Sequence, residues 1–236
     1  NNFIFTSSTT VFKPPVGDDK LNEDSDLSSL IYYGKSKIAG EKIILEYKEK
    51  VRSTILRLSG VYSNDCRLVP LANQIAFIWR KGFGYKFLPG KGEGGISYVH
   101  IEDVLDAFEQ TIFMFEEIPS GSIFILSEDE YVPIKNLYNQ IFCEIYGKKP
   151  YFIHLPKWLV CFFVYIANLI HYILGKGIFF KPWMISLADK KYQFDTYKAK
   201  KVVEWQPRFQ LEEYMKVIIK NLKSNTHKWL ATNNIK

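Results

Sequence analysis

NNFIFTSSTTVF at residues 1–12, YGKSKIAGEKIIL at 33–45 and TILRL at 54–58 form the stretch whose reading decides the fold. Phe3-Ile4-Phe5 is a short apolar run that breaks into the hydroxyl residues Thr6 to Thr10, the pattern of a buried strand emptying into a loop. A polar, acidic loop continues through Asp26. From about Ser28 to Lys50 the apolar positions Leu30, Ile38, Ile43, Ile44 and Tyr47 recur at helical spacing among Lys and Glu, which predicts an amphipathic helix. Ser53 to Leu58, rich in Thr, Ile and Leu, predicts a second strand. Strand, loop, long helix, strand is the grammar of a parallel α/β sheet with crossover helices.

Working outward, a helix is expected over Glu102–Glu116 and a strand over Ser122–Leu126, with Pro119-Ser120-Gly121 between them. A helix over Ile134–Tyr146 closes at Gly147, and a last one spans about Leu211–Leu222 after Gln206-Pro207. The chain has 236 residues, 47% apolar and 24% charged, which excludes disorder and leaves room for one large domain or two small ones. A net charge of +6 without dense basic clusters argues against a nucleic-acid partner. Cys66, Cys143 and Cys161 show no CxxC spacing, so neither a zinc site nor a disulfide framework is expected, and a cytoplasmic location fits. The opening Asn1-Asn2 is neither Met nor a signal-peptide start, and a missing upstream part is expected.

WLVCFFVYIANLIHYIL at 158–174 contains no charged residue. A spanning helix needs about 20 apolar residues, whereas Asn168 and His171 interrupt this stretch and Gly175 closes it. The length favours a buried or half-buried helix. Two other readings stay open: a helix lying in a membrane surface with Lys157 and Lys176 reaching out at its ends, and a full span.

A Tyr with Lys four positions on places an ammonium beside a phenol on one helix face. The pattern occurs at Tyr33, Tyr131, Tyr172 and Tyr197, against roughly 1.7 occurrences expected from composition. Tyr33 and Lys37 stand out because the Ser-rich strand end Phe5-Thr6-Ser7-Ser8 lies one loop upstream. Oxidising a carbinol by hydride transfer requires a base for the hydroxyl proton, and a free phenol titrates near 10. A cation at about 4 Å in a dielectric near 20 supplies about 4 kcal/mol, the order needed to bring a phenol near neutrality. Ser8 would then hydrogen-bond the substrate oxygen and orient it toward Tyr33.

With these residues in view, the sequence resembles the extended short-chain dehydrogenases/reductases, which include the NAD-dependent epimerase/dehydratases and 3β-hydroxysteroid dehydrogenase-like enzymes. The resemblance is carried in order by residues 1–12, 33–45, TILRLSGVYS at 54–63, ISYVHIEDVLDAF at 96–108 and FDTYKAKKVVEWQPRFQLEE at 194–213. It implies an α/β fold, the C-terminal portion of a Rossmann-type doubly wound parallel sheet with a smaller, mainly helical substrate domain. Residues 1–62 would be the second half of the dinucleotide-binding domain, and 63–236 mostly substrate domain, with about 99–127 returning to the sheet. The implied cofactor is NAD or NADP, the implied catalytic trio Ser8, Tyr33 and Lys37. Lys37 and Tyr33 would also hold the nicotinamide ribose, and Leu58, Ser59, Gly60 and Val61 would line the nicotinamide through their backbone. A small-molecule substrate and a homodimer through the helix bearing Tyr33 are implied as well.

Two departures bear on that resemblance. The family's GxxGxxG turn, which sets the pyrophosphate on a helix N-terminus, does not occur, so the chain resembles the C-terminal two thirds of such an enzyme and is expected to be inactive alone. Gly90-Lys91-Gly92-Glu93-Gly94-Gly95 is no substitute, since Glu93 would oppose a phosphate, and it reads as a flexible loop. No Arg stands just before Tyr98, where nucleotide-sugar epimerases grip the substrate diphosphate. With the apolar stretch at 158–174, this shifts weight toward a sterol- or isoprenoid-like alcohol. A nucleotide-sugar epimerase/dehydratase and a non-catalytic NAD(P)-binding scaffold stand as alternatives. Asp103 is expected to be a cap or structural ion pair, Trp205 a core anchor, His154 and His171 packed or hydrogen-bonded, and Lys198, Lys200 and Lys201 a solvated helix face.

Overall fold

The computed structural model describes residues 2–82, 84–173, 184–185 and 187–235. The chain opens with β1 (Asn2–Ser8), a 3-10 turn (Thr9–Val11), α1 (Tyr32–Glu46), β2 (Arg52–Leu58) and β3 (Gly60–Tyr62). It continues through α2 (Val69–Trp79), β4 (Phe87–Pro89), β5 (Gly95–Ile96), β6 (Tyr98–His100), α3 (Ile101–Phe113) and β7 (Ser122–Leu126). The remainder is β8 (Val132–Pro133), α4 (Ile134–Tyr146), β9 (Ile153–Leu155), α5 (Lys157–Ile173), β10 (Lys191–Tyr192), α6 (Tyr197–Val202), α7 (Leu211–Ser224) and α8 (Thr226–Thr232). Two compact units result, one of Asn1–Ser63, Ile96–Tyr131 and Tyr192–Tyr214, the other of Asn64–Gly95, Val132–Lys191 and Met215–Lys236.

In the first unit β1, β2 and β7 form a parallel sheet with β2 in the middle. β2 is buried at every position after Arg52, as a strand covered on both faces must be. The register aligns Ser8 with Leu58 and Leu58 with Leu126, so three strands end level at one carboxyl edge. One core cluster joins Leu56, Leu58, Phe124 and Leu126 to Val104 of α3 and to Trp205. A smaller one gathers Val11, Phe12 and Phe194 around Ile125. Trp205 donates through Nε1 to the Asp103 carbonyl, which pairs the one polar atom of a buried indole. The core-anchor expectation for Trp205 therefore holds.

The sequence and the structure part company at α1. The helix begins at Tyr32, not near Ser28, and its fully buried positions are Gly34 and Glu41, while Leu30, Ile43 and Tyr47 are exposed. What holds it to the sheet is close approach and charge, not an apolar stripe. A Cβ on Gly34 would lie 2.5 Å from the Thr10 carbonyl oxygen and 2.0 Å from Ser29 Oγ, so the first turn rests directly on loop backbone. Glu41 forms a fork-shaped pair with Arg57 of β2, Nε to Oε1 at 3.0 Å and Nη2 to Oε2 at 2.9 Å, with both residues 2% exposed. Thr6, Ser7 and Ser8 also remain in β1 instead of opening into a loop, because β2 supplies partners along the whole register.

The second unit packs α2 against α4; Leu71 and Ile75 of α2 and Leu137 and Ile141 of α4 are buried, and the Tyr146 hydroxyl of α4 donates to the Ile78 carbonyl of α2 at 2.8 Å. Gly147 closes α4 with φ 67°, the left-handed stop expected there. β4 pairs in parallel with β9. The loop at 90–95 is not free: Gly90 N–H donates to the Leu155 carbonyl, Gly94 accepts from Ile134 N–H, and a Cβ on Gly95 would meet the Val132 carbonyl at 2.0 Å. Those glycines answer to close backbone packing. Helix α8, capped by the Asn225 side chain, had no counterpart in the sequence reading.

Candidate active site

Lys37 lies one turn after Tyr33 on α1, and its Nζ sits 5.6 Å from the Tyr33 ring centroid and 5.2 Å from that of Phe5. The same ammonium donates to the Thr6 carbonyl at 2.8 Å, which ties the helix to the carboxyl end of β1. Tyr33 and Lys37 are thus together, and the phenol is half exposed, open to an incoming molecule. Ser8 ends β1 and is buried; its Oγ accepts from the Thr10 amide at 3.2 Å and the Thr10 hydroxyl at 3.1 Å, capping the 3-10 turn. No hydrogen bond among the described residues joins Ser8 to Tyr33. Since both bonds of Ser8 use its oxygen as acceptor, its proton is free to be donated elsewhere.

The segment after β2 lies at the same edge. Ser59 N–H donates to the Leu126 carbonyl at 3.1 Å, and β3 pairs Gly60 with Tyr98 and Val61 with Val99. The Leu58 side chain belongs to the core, which leaves only its backbone for a ligand. Ser59 Oγ and Ser127 Oγ, at the ends of β2 and β7, are buried with no partner among the described residues. In parallel α/β sheets ligands settle outside the carboxyl ends of the strands, where these hydroxyls are.

A polar cluster beside this edge escaped the sequence reading. Glu128 is 2% exposed and accepts from Leu211 N–H at the start of α7 at 3.0 Å. Burial, opposed by that hydrogen bond and by the Tyr62 hydroxyl, pushes the Glu128 carboxyl up to about 7. Burial also pushes the Tyr62 hydroxyl upward and the His100 imidazole downward. The His100 ring is 5.1 Å from that of Tyr62, 4.6 Å from Phe209 and 4.8 Å from Tyr214. Its Nδ1 accepts from Glu102 N–H and caps α3, so the imidazole proton sits on Nε2. Glu128 was hidden in the SEDE run, which reads as a solvated turn.

Other residues take structural places. Asp103, fully buried, accepts from the Arg208 and Phe209 amides and pairs with the Arg208 guanidinium at 3.6 Å, as a structural carboxylate does. His154 bonds the Gly90 carbonyl at 2.9 Å. Lys200 differs from the expected solvated face, because it is engaged by Asp129, while Lys198 lies over the Phe124 ring. On α5, Trp158, Phe162, Phe163, Tyr165, Leu169 and Tyr172 are exposed, and among the described residues no helix is long and apolar enough to cross a membrane. Lys157, Val160, Cys161, Val164, Ala167 and Asn168 along one face of α5 are half-buried, so of the two readings the half-buried helix holds and the fully buried one does not. The His171 side chain, Leu174, Gly175 and Lys176 lie outside the described residues.

The model of the NAD dependent epimerase/dehydratase family matches residues 1–126. Sterol-4-alpha-carboxylate 3-dehydrogenase, decarboxylating, from Homo sapiens is 23% identical over 235 residues, covering 93% of this chain and 61% of that protein. The chain therefore spans about three fifths of the length of that curated relative. Among solved structures, gox2253 superposes with a TM-score of 0.69 at 18% identity over 94% of this chain and 66% of that one. UDP-glucuronic acid 4-epimerase from Bacillus cereus, in complex with NAD, gives 0.63 at 19% identity over 94% and 62%. The α/β class and the Rossmann-like parallel sheet are common to them.

The raised Glu128 carboxyl has a thermodynamic consequence. The native state holds its proton to about pH 7, whereas an unfolded carboxyl releases it near 4.5. Its contribution to stability is therefore full below pH 4.5 and is lost as pH rises toward 7, by up to about 3 kcal/mol. Glu128→Gln keeps a carbonyl for Leu211 and removes the titration. Thermal unfolding from pH 5 to 8 should show the wild type losing Tm relative to the variant, and parallel curves would refute the assignment.

Proposed function

The chain belongs to the NAD-dependent epimerase/dehydratase family, and on that premise we propose that it carries the base and the nicotinamide end of the site in an NAD(P)-dependent oxidoreductase. The observation behind this reading is the Lys37 ammonium held between the Thr6 carbonyl and the Tyr33 ring at the edge where β1 ends. The unpartnered buried hydroxyls of Ser59 and Ser127 fit a polar ligand at the same edge. On this reading the backbone of Leu58, Ser59, Gly60 and Val61 lines the nicotinamide, and Lys37 and Tyr33 hold its ribose. The bound cofactor supplies a hydride acceptor at nicotinamide C4.

As the carbinol C–H gives up its hydride, Tyr33 takes the hydroxyl proton and the C–O bond becomes a carbonyl. Lys37, held on the Thr6 carbonyl, keeps its ammonium beside the Tyr33 ring. Ser8, whose oxygen is occupied as an acceptor, donates its proton in a hydrogen bond to the substrate oxygen and orients it. The glycine-rich turn for the pyrophosphate is not among the 236 residues, so turnover is assigned to a protein that carries this chain together with such a turn. No turnover is expected from the 236 residues alone.

The substrate class proposed is a sterol- or lipid-like alcohol. Support comes from the name of the human relative, the exposed apolar face of α5, and Gly95-Ile96-Ser97, without an Arg, before Tyr98. Ser97 there is buried and turned onto the Tyr192 carbonyl, with no cation to grip a diphosphate. A nucleotide-sugar epimerase or dehydratase would share the first hydride step and then return the hydride. We further propose that α5 lies in the surface of a membrane on the cytoplasmic side, with Trp158, Tyr165 and Tyr172 at headgroup level. A homodimer is proposed across the outer face of α1, where Tyr32, Ile43 and Tyr47 are exposed opposite Glu41.

In the protein that carries this chain, Tyr33→Phe should lower kcat by about 10²–10⁴-fold while dinucleotide affinity stays nearly unchanged. Retention of most activity would overturn the assignment. NADH formation from a 3β-hydroxysterol but not from a UDP-hexose is expected, and the reverse preference favours the epimerase reading. Flotation with phosphatidylcholine/phosphatidylserine vesicles should carry the protein upward, and Phe162→Glu with Phe163→Glu should leave it at the bottom. Sedimentation equilibrium should give twice the chain mass, reduced to one by Ile43→Lys; a wild-type monomer rules out the dimer.

A further inference from the structure

Tyr33, Lys37 and Glu41 follow one another at four-residue intervals on α1, so the three rise along one side of the helix. Glu41, the last of them, is the residue at which the helix is locked to the sheet. Its Oε1 accepts from Ser7 Oγ at 2.5 Å and from Arg57 Nε at 3.0 Å, while Oε2 takes Arg57 Nη2 at 2.9 Å. Ser7 and Arg57 are register partners on adjacent strands, so one carboxylate reads the position of β1 and β2 together. Arg57 is fixed in turn: Nη1 donates to the Glu23 carbonyl at 2.8 Å, and the guanidinium stacks 4.9 Å from the Phe12 ring centroid. The Glu23 carboxylate receives Ile125 N–H from β7 at 3.1 Å.

Apolar burial is non-directional and by itself fixes the rotation of a helix less sharply than a directional bond does. A two-point fork between a planar guanidinium and a carboxylate resists rotation, because both bonds lengthen at once. Rolling α1 about its axis would carry Lys37 off the Thr6 carbonyl and away from the carboxyl edge. We propose that Glu41 and Arg57 are positioning residues, which set the rotation and height of α1 so that the Tyr33 phenol and the Lys37 ammonium meet substrate at the end of β1. This rests on the reading of Tyr33 as the base and Lys37 as its cation, and adds the device that aims them.

The test uses the protein that carries this chain, with steady-state kinetics well below its unfolding temperature. Glu41→Leu combined with Arg57→Met replaces the clamp by apolar side chains of similar volume, which pack without a fixed register. With native circular dichroism, this variant should lose at least about tenfold in kcat while KM and dinucleotide affinity shift by no more than about threefold. Arg57→Lys, which keeps the charge and loses the fork, should fall between it and wild type. A folded double variant with wild-type kcat, or equal activity in Arg57→Lys and wild type, overturns the proposal while leaving the reading of Tyr33 intact. If the double variant does not fold, Arg57→Lys and Ser7→Ala decide alone, by the same split between kcat and KM. Undiminished turnover in Tyr33→Phe would overturn both.

Discussion

A buried ion pair between Glu41 and Arg57 is the constraint on which the first unit depends. Moving two such charges out of water costs several kcal/mol each, and a pair recovers this only with good geometry and further hydrogen bonds. Here the fork, the Ser7 hydroxyl and the Glu23 carbonyl provide them. Removing one partner of such a pair costs about 3–5 kcal/mol, a large part of a domain's total stability. The pair seats α1 on the sheet together with the close approach of Gly34, the Phe5 ring against Gly40 and Ile38 in the small core cluster.

That constraint explains where the sequence could be read and where it could not. β2, β7, α3 and α4 were legible because apolar periodicity and burial coincide in them: Leu56, Phe124, Val104 and Ile141 are core residues on the faces their spacing implies. α1 misled because its periodic apolar residues face outward and its anchor is a carboxylate. A glutamate in a Lys-rich helix reads as solvated, and only the distant Arg57 makes it buriable. Apolar spacing that counts Leu30 puts the start of α1 too early. Instead Ser29 is consumed by the approach of Gly34, and the helix begins at Tyr32 without a side-chain cap.

The candidate site was legible to the extent that it is local. Tyr33 and Lys37 share a helix face, a relation fixed by 3.6 residues per turn, and the structure keeps them together. Ser8 was picked out by its strand end, and it does lie at the carboxyl edge, but its capping of the 3-10 turn depends on Thr10 and could not be read from the pattern. Glu128, Tyr62 and His100 come from three separate segments, brought together by β3, β6 and the end of β7. Nothing in the local spacing of any one of them marks it, because the desolvation that shifts their protonation equilibria is a property of the assembled core.

Unpaired hydroxyls sharpen the location of the site. A buried hydroxyl without a partner forfeits about 1–3 kcal/mol, so a native fold carries such groups where something else is served. Among the described residues Ser53 Oγ is also unpaired, at the opposite end of β2, so orphaning by itself points nowhere. Ser59 and Ser127 differ in sitting at adjacent strand ends on the edge where Ser8 keeps a proton to donate and Lys37 is held. Polar groups left unsatisfied at adjacent strand ends have needs that one polar ligand at this edge would meet together. The same hydroxyls scattered through the sheet would record only imperfect packing; gathered at its carboxyl edge, they support the proposed position of the ligand.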